Sequence, residues 1–206
     1  MDEFRIQGNA GSPDPAQYPL EPGRSPGEAA SRRSSSLAVL GWLRDLAVSV
    51  LLAVIVILFL YQPVKVEGTS MMPSLTDQER IFINKFVYRF GFSDIARGDT
   101  VVFWYPNDRS KSYIKRVIGV PGDLVELDRG QVILNGQRLE EPYVPPEYRD
   151  QRSLSPRRVP PDHYFVMGDH RSSSNDSRDW GFLPGTYIYG KAVFVYWPIE
   201  KMGVLR

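Results

Sequence analysis

Three short stretches hold the residues able to do chemistry. The first is Gly68-Thr69-Ser70-Met71-Met72-Pro73-Ser74-Leu75, where a serine lies between small residues and a proline-fixed turn. Such a context presents a hydroxyl and, through Gly68, admits close approach of another chain. The second is Ser112-Tyr113-Ile114-Lys115-Arg116-Val117-Ile118. Period-two alternation places Lys115 on one strand face with Tyr113 and Val117. If that face is buried, desolvation disfavours the ammonium and leaves a neutral amine able to take a serine proton. The third stretch, Gly168 to Gly181, is dense in Asp, Arg and Ser. Asp176 and Arg178 can form a charge-assisted pair, and the serines beside them can hold an amine in one orientation. Each stretch taken alone also has a plain structural meaning: a loop, a solvated strand edge and a polar turn.

Composition narrows the chemistry. The chain has no cysteine and only His163 and His170 as histidines, which removes thiolate nucleophiles and Cys-based metal sites and leaves too few ligands for a typical transition-metal centre. No metal and no cofactor are expected. A formal net charge of +1, without a long Lys/Arg run, gives no electrostatic reason to expect nucleic acid. At 206 residues, 42% hydrophobic and 24% charged, the chain has room for one folded domain with extensions.

Residues 1–36, carrying Pro13, Pro15, Pro19, Pro22 and Pro26 with almost no apolar pattern, read as a disordered tail. Leu46 to Tyr61 is uncharged, with Ser49 its one clearly polar residue. Extended back through Trp42 to Leu37, that run reaches the length of about 20 residues that a bilayer requires. Residues 37–62 therefore read as a single transmembrane anchor. Arg32, Arg33 and Arg44 precede the run and Lys65 follows it, which places the tail in the cytoplasm and residues 63–206 across the membrane.

Beyond the anchor, Arg80–Val87, Thr100–Tyr105, Ser112–Ile118, Asp123–Leu127, Gln131–Leu134, Tyr164–Met167 and Tyr187–Trp197 are short β-rich runs separated by turn formers, so a mainly β, antiparallel domain is expected. Asn135-Gly136 and Asp128-Arg129-Gly130 read as hairpin turns. Residues 142–161, rich in proline, read as a long surface excursion.

Together, Ser70 to Leu75, Arg97-Gly98-Asp99-Thr100-Val101-Val102-Phe103, Tyr113 to Gly119 with Pro121-Gly122-Asp123, and Gly168 to Gly181 resemble the ordered motif blocks of bacterial type I signal peptidases. The resemblance implies a membrane-anchored antiparallel β-sheet catalytic domain that cleaves signal peptides from preproteins after a small residue, with small side chains at positions minus one and minus three. It implies Ser70 as nucleophile, Lys115 as general base, Ser174 as the residue orienting Lys115, Asp176 and Arg178 as a supporting ion pair, and the Ser70 backbone N–H as oxyanion donor. Many relatives carry a serine where this chain has Gly68, and asparagine is usual at His170. The substrate is expected to enter as an added strand beside Val66, Tyr113 and Ile114, with Met71, Ile81 and Ile114 forming shallow pockets. The implied partners are signal peptides, the bilayer and the export machinery, in a bacterial cell membrane or a thylakoid.

Two other readings of the residues remain open at this level. Ser70 could work with His163 or His170 and an aspartate, or the β domain could be a tethered binding module without catalysis.

Overall fold

The computed structural model describes residues 27–85 and 95–205, and in the first helix it describes side chains for residues 39–55. The chain divides into two units, Met1–Leu51 and Leu52–Arg206.

Helix α1 spans Gly27–Leu60. It starts ahead of residue 37, the expected start of the anchor, and so takes in part of the expected tail. Pro26 stands just before it, a place where proline is favoured, and residues 27–36 contain no proline to stop it. The expectation for residues 1–26 lies outside the described residues. At the other end Pro63 blocks continuation and biases Gln62 to extended backbone, so the chain enters a strand at Tyr61. Val48, Leu51, Leu52 and Val54 are exposed. Among the described residues no helix is long and apolar enough to cross a membrane. The side chains of residues 37, 38 and 56–60, which belong to the expected anchor, lie outside the described set.

The second unit is built on strands. In chain order these are β1 (Tyr61–Lys65), β2 (Arg80–Asn84), β3 (Thr100–Tyr105), β4 (Asp108–Gly119), β5 (Leu124–Asp128) and β6 (Gln131–Leu134). They continue with β7 (Gln137–Arg138), β8 (Leu154–Arg158), β9 (His163–Met167), β10 (Leu183–Pro184), β11 (Ile188–Trp197) and β12 (Gly203–Val204). A short helix, α2 (Ser177–Trp180), follows β9. Every expected strand is present, β3 and β6 with the expected bounds and the others with their ends adjusted, although residues 86 and 87 of the expected Arg80–Val87 run lie outside the described residues. The strands form two sheets. The larger has the order β1-β2-β11-β3-β4-β9-β10, with β12 beside β11, and the smaller has the order β7-β6-β5-β8. All strand pairs are antiparallel.

The excursion at 142–161 is more ordered than its proline content suggests, because β8 runs through Pro156. The strand is tolerated there since β8 lies at a sheet edge, where a missing N–H costs no ladder bond. Pro63 sits in β1, the edge of the larger sheet, for the same reason.

Three apolar clusters hold the sheets. One gathers Val66, Met71, Leu75, Ile81, Ile83, Val102 and Ala192, and a second gathers Val101, Phe103, Val117, Val166 and Leu183. The third, with Ile118, Val125, Val132, Phe165 and Met167, joins the small sheet to the large one. Gly119 lies in this joint: a Cβ there would stand 2.7 Å from Val125 Cγ2 and 3.2 Å from Val159 Cγ2. Gly119→Ala is expected to destabilise the β unit by about 1–3 kcal/mol through overpacking, read as a lower urea midpoint by tryptophan fluorescence. A midpoint equal to wild type would show that the joint is slack.

Candidate active site

Ser70 lies on the loop between β1 and β2, which is closed at its base by backbone bonds from Val66 N–H to Glu79 O (2.8 Å) and from Gln78 N–H to Val66 O (2.9 Å). Met71 and Leu75, both fully buried, anchor the loop in the core and turn the half-buried Ser70 toward a groove. Thus Met71, expected as a substrate contact, belongs instead to the packing beneath the Ser70 loop.

Strand β4 brings the amine. Tyr113 and Val117 pack in one cluster, as alternation requires, and Lys115 between them is only 3% exposed. Its Nζ lies 2.6 Å from Ser70 Oγ and donates to Ile114 O at 3.0 Å. Burial lowers the Lys115 pKa to about 8 against the upward pull of Asp176 and Asp169, with the Arg178 charge adding to the fall.

Those two carboxylates are not bare. Asp169 receives a guanidinium fork from Arg116, at 2.9 and 2.7 Å, and Arg116 also donates to Gly98 O at 2.9 Å. Asp176 accepts from Arg178 Nε (2.8 Å) and Nη2 (2.7 Å), from the Arg178 backbone N–H, and from Gly168 N–H (3.0 Å). Burial pushes the Asp176 carboxyl up, but the Arg178 hydrogen bond and charge outweigh it and hold the group below its ordinary value. Asp176 also caps α2 in a reciprocal box with Asp179, which explains the acid at that place.

The loop after β9 grips the serine backbone. His170 N–H donates to Ser70 O at 3.1 Å, and a Cβ on Gly168 would stand 2.4 Å from Ser70 O and 2.2 Å from Ser174 Oγ. Only glycine fits this approach. Ser174 is therefore beside the site, and its buried hydroxyl, which has no close hydrogen-bond partner among the described residues, acts weakly on the Asp176 carboxyl. It rests in the space that Gly168 leaves open, and the described partners of Lys115 Nζ are Ser70 Oγ and Ile114 O. The expected Ser174–Lys115 bond is absent from this arrangement.

Two further donors can be placed. The Ser70 backbone N–H has no partner among the described residues, whereas Gly68 N–H is committed to Asp77 Oδ1 at 2.8 Å. His170 Nδ1 faces Thr69 O at 3.2 Å and His163 Nδ1 faces Pro161 O at 2.8 Å. Neither histidine is a hydrogen-bond partner of Ser70.

Ser70 and Lys115 open on a groove of about 620 Å³ whose walls include Val66, Ile81, Tyr113 and Ile114. Val66 and Ile81 expose almost nothing themselves, so they form its floor. The walls run along residues 64–70 on one side and 111–115 on the other. The outer edge of β1 is unpaired, and β9 pairs with β4 only from Arg116 onward. Sequence reasoning missed Glu141, just ahead of the excursion, and Asp150 within it, acids that hold Arg171 and Arg178 (2.5 to 2.9 Å). Nothing local in the sequence pairs residues so far apart.

Chemically, the arrangement couples a hydroxyl to a desolvated amine at the bottom of a strand-sized cleft. Gly168→Ala is expected to lower turnover by about 100-fold, since the new methyl must displace the Ser70 carbonyl and misplacement near 1 Å has that effect. Steady-state cleavage assays check it; turnover within threefold of wild type would mean that the Ser70 backbone is not held there.

Comparison with known proteins gives a consistent result. The family described as Signal peptidase, peptidase S26, matches residues 39–197. Signal peptidase I of Leptolyngbya laminosa is 35% identical over 204 residues, covering 94% of this chain and 94% of that protein. Signal peptidase I of Bacillus amyloliquefaciens is 38% identical over 180 residues, covering 83% of this chain and 95% of its own length. Signal peptidase I S of Bacillus subtilis is 36% identical over 179 residues, covering 82% and 95%.

Proposed function

Because the chain belongs to the signal peptidase family, peptidase S26, and is a type I signal peptidase, we propose that it cuts preproteins by direct attack of Ser70 with Lys115 as general base. The observation that carries this reading is the 2.6 Å approach of a buried amine to Ser70 Oγ. The neutral Lys115 Nζ takes the hydroxyl proton as Oγ adds to the scissile carbonyl carbon. The negative oxygen so formed lies toward the unpartnered Ser70 N–H. Collapse breaks the C–N bond, the Lys115 ammonium returns its proton to the leaving amine, and an acyl-serine remains. Water then adds to the acyl carbon, again losing a proton to Lys115; as the C–Oγ bond breaks, Lys115 returns that proton to Ser70 Oγ, and the signal peptide leaves with a free carboxylate. Ser174 is assigned the role of orienting Lys115 once Ser70 Oγ turns to the substrate; its support is the place of its buried hydroxyl beside Gly168, which lies against the Ser70 carbonyl. The Asp176–Arg178 pair holds the loop on which Ser174 stands.

The preprotein lies extended in the groove, its backbone pairing with the free edge of β4 at Tyr113 and Ile114 and with the segment at Val66. Ile81 and Ile114 leave shallow room on that path, which suits the small residues of an Ala-X-Ala site. An anchor formed by α1, with the tail in the cytoplasm, would bring Ser70 to the outer membrane surface where preproteins are inserted. Its support is the uncharged run Leu46 to Tyr61 and the exposure of Val48, Leu51, Leu52 and Val54.

Ser70→Ala and Lys115→Ala are each expected to reduce cleavage of a preprotein bearing an Ala-X-Ala site by about 1,000-fold or more, while His170→Ala stays near wild type. Severe loss only in the histidine variant would reassign the base. The pH dependence has a fixed sign. Lys115 must be deprotonated to act, so kcat/KM rises by about tenfold per pH unit on the acid side and levels above about pH 8. A limb near the carboxylate or imidazole range would rule out the amine.

A further inference from the structure

We propose that Asp150, in the middle of the proline-rich excursion, is a positioning residue for this reaction, holding Ser70 in place through Arg178, Asp176 and Gly168; the inference rests on the Ser70/Lys115 reading above. The connection is continuous. Arg178 Nη1 donates to Asp150 Oδ2 at 2.6 Å while its Nε and Nη2 hold Asp176. Its Nη2 also donates to Arg171 O at 2.9 Å. Asp176 Oδ2 accepts Gly168 N–H, and Gly168 is the residue pressed against the Ser70 carbonyl.

The geometry at Asp150 is not that of a loose surface contact. The Arg178 side chain is 2% exposed and that of Asp150 11%, so the pair is shielded from the water and salt that make surface ion pairs weak. Removing one partner of such a pair leaves the other charge buried and short of a neighbour. Arg178 would then have to move toward other acceptors, and the carboxylate it moves with is the one that holds Gly168.

The backbone of Asp150 is itself fixed from the small sheet. Gly130, at φ +79° in the turn between β5 and β6, lies so close that a Cβ would stand 2.0 Å from Asp150 O. Its N–H donates to Arg152 O at 2.8 Å. Arg152 ties the same carboxylate to Asp179 of α2, at 3.0 and 2.6 Å. A second acid of this region acts in parallel: Glu141 holds Arg171 with a fork at 2.9 and 2.5 Å, and Arg171 Nε donates to Gly168 O. The small sheet and its excursion thus brace the loop that sets Ser70.

A brace of this kind acts first on the reacting geometry: neither Asp150 nor Glu141 is among the groove residues, although the braced loop lends Ser173 and Asn175 to the groove. The test uses the full-length chain in detergent micelles on a preprotein with an Ala-X-Ala site. Wild type, Asp150→Asn, Asp150→Ser, Ser70→Ala and, as an exposed acid of the same sheet, Asp128→Asn are compared at equal amounts of folded protein. Asp150→Asn is expected to lower kcat by about tenfold with KM within twofold of wild type, and Asp128→Asn to match wild type. Asp150→Ser is read by the same criterion if the Asn variant does not fold. Wild-type kcat, or a loss that appears in KM, in the variant that folds would overturn the proposal. An active Ser70→Ala would instead overturn the reading on which it rests.

Discussion

The structure depends on keeping one lysine amine out of water beside one serine hydroxyl. Burial disfavours the ammonium while two acids nearby pull the other way; burial wins, and Lys115 stands at about 8. Asp169 and Asp176 would keep a lysine charged if they stood bare beside it. Each is instead engaged by an arginine that is itself buried, Arg116 for Asp169 and Arg178 for Asp176. The carboxylates keep their work as hydrogen-bond acceptors for the loop, and their upward pull on Lys115 is outweighed by burial, with the Arg178 charge on the same side as burial. This accounts for the paired charges that lie close to an amine whose burial disfavours its own charge.

The same groups set position as well as charge. Arg116 follows Lys115 on β4, so fixing its guanidinium on Asp169 also fixes the strand next to the amine. Asp176 holds Gly168, and Gly168 lies against the Ser70 carbonyl. The nucleophile loop, for its part, is rooted by Met71 and Leu75 in the apolar core. Serine and lysine come from separate elements, and the loop after β9 is where both are gripped.

Much of this was legible in the sequence because it is local. Strand periodicity and turn residues reveal β3, β4, β6 and β11, and alternation along β4 places Lys115 with Tyr113 and Val117. What stayed hidden is what depends on neighbours distant in the chain. Edge position, which makes Pro63 and Pro156 acceptable within β1 and β8, is a property of the sheet. The inward course of Met71 is decided by the cavity it fills, since the side chain suits a pocket wall or a core equally well. Glu141–Arg171 and Asp150–Arg178 join residues separated by most of a strand hairpin, and no spacing rule anticipates them. Ser174 shows the converse limit: its place in the loop was readable, but the direction of its hydroxyl is set by the room that Gly168 leaves.

The central claim of the proposal is that Lys115 titrates low enough to serve as the general base, and it can be read without turnover. Full-length protein carrying 13C at the lysine ε-carbons is titrated by NMR, with the Lys115 signal assigned by its loss in Lys115→Arg. The account predicts a single lysine titrating near pH 8, well below the ordinary 10.5. A Lys115 signal that titrates with the surface lysines near the ordinary value would contradict it.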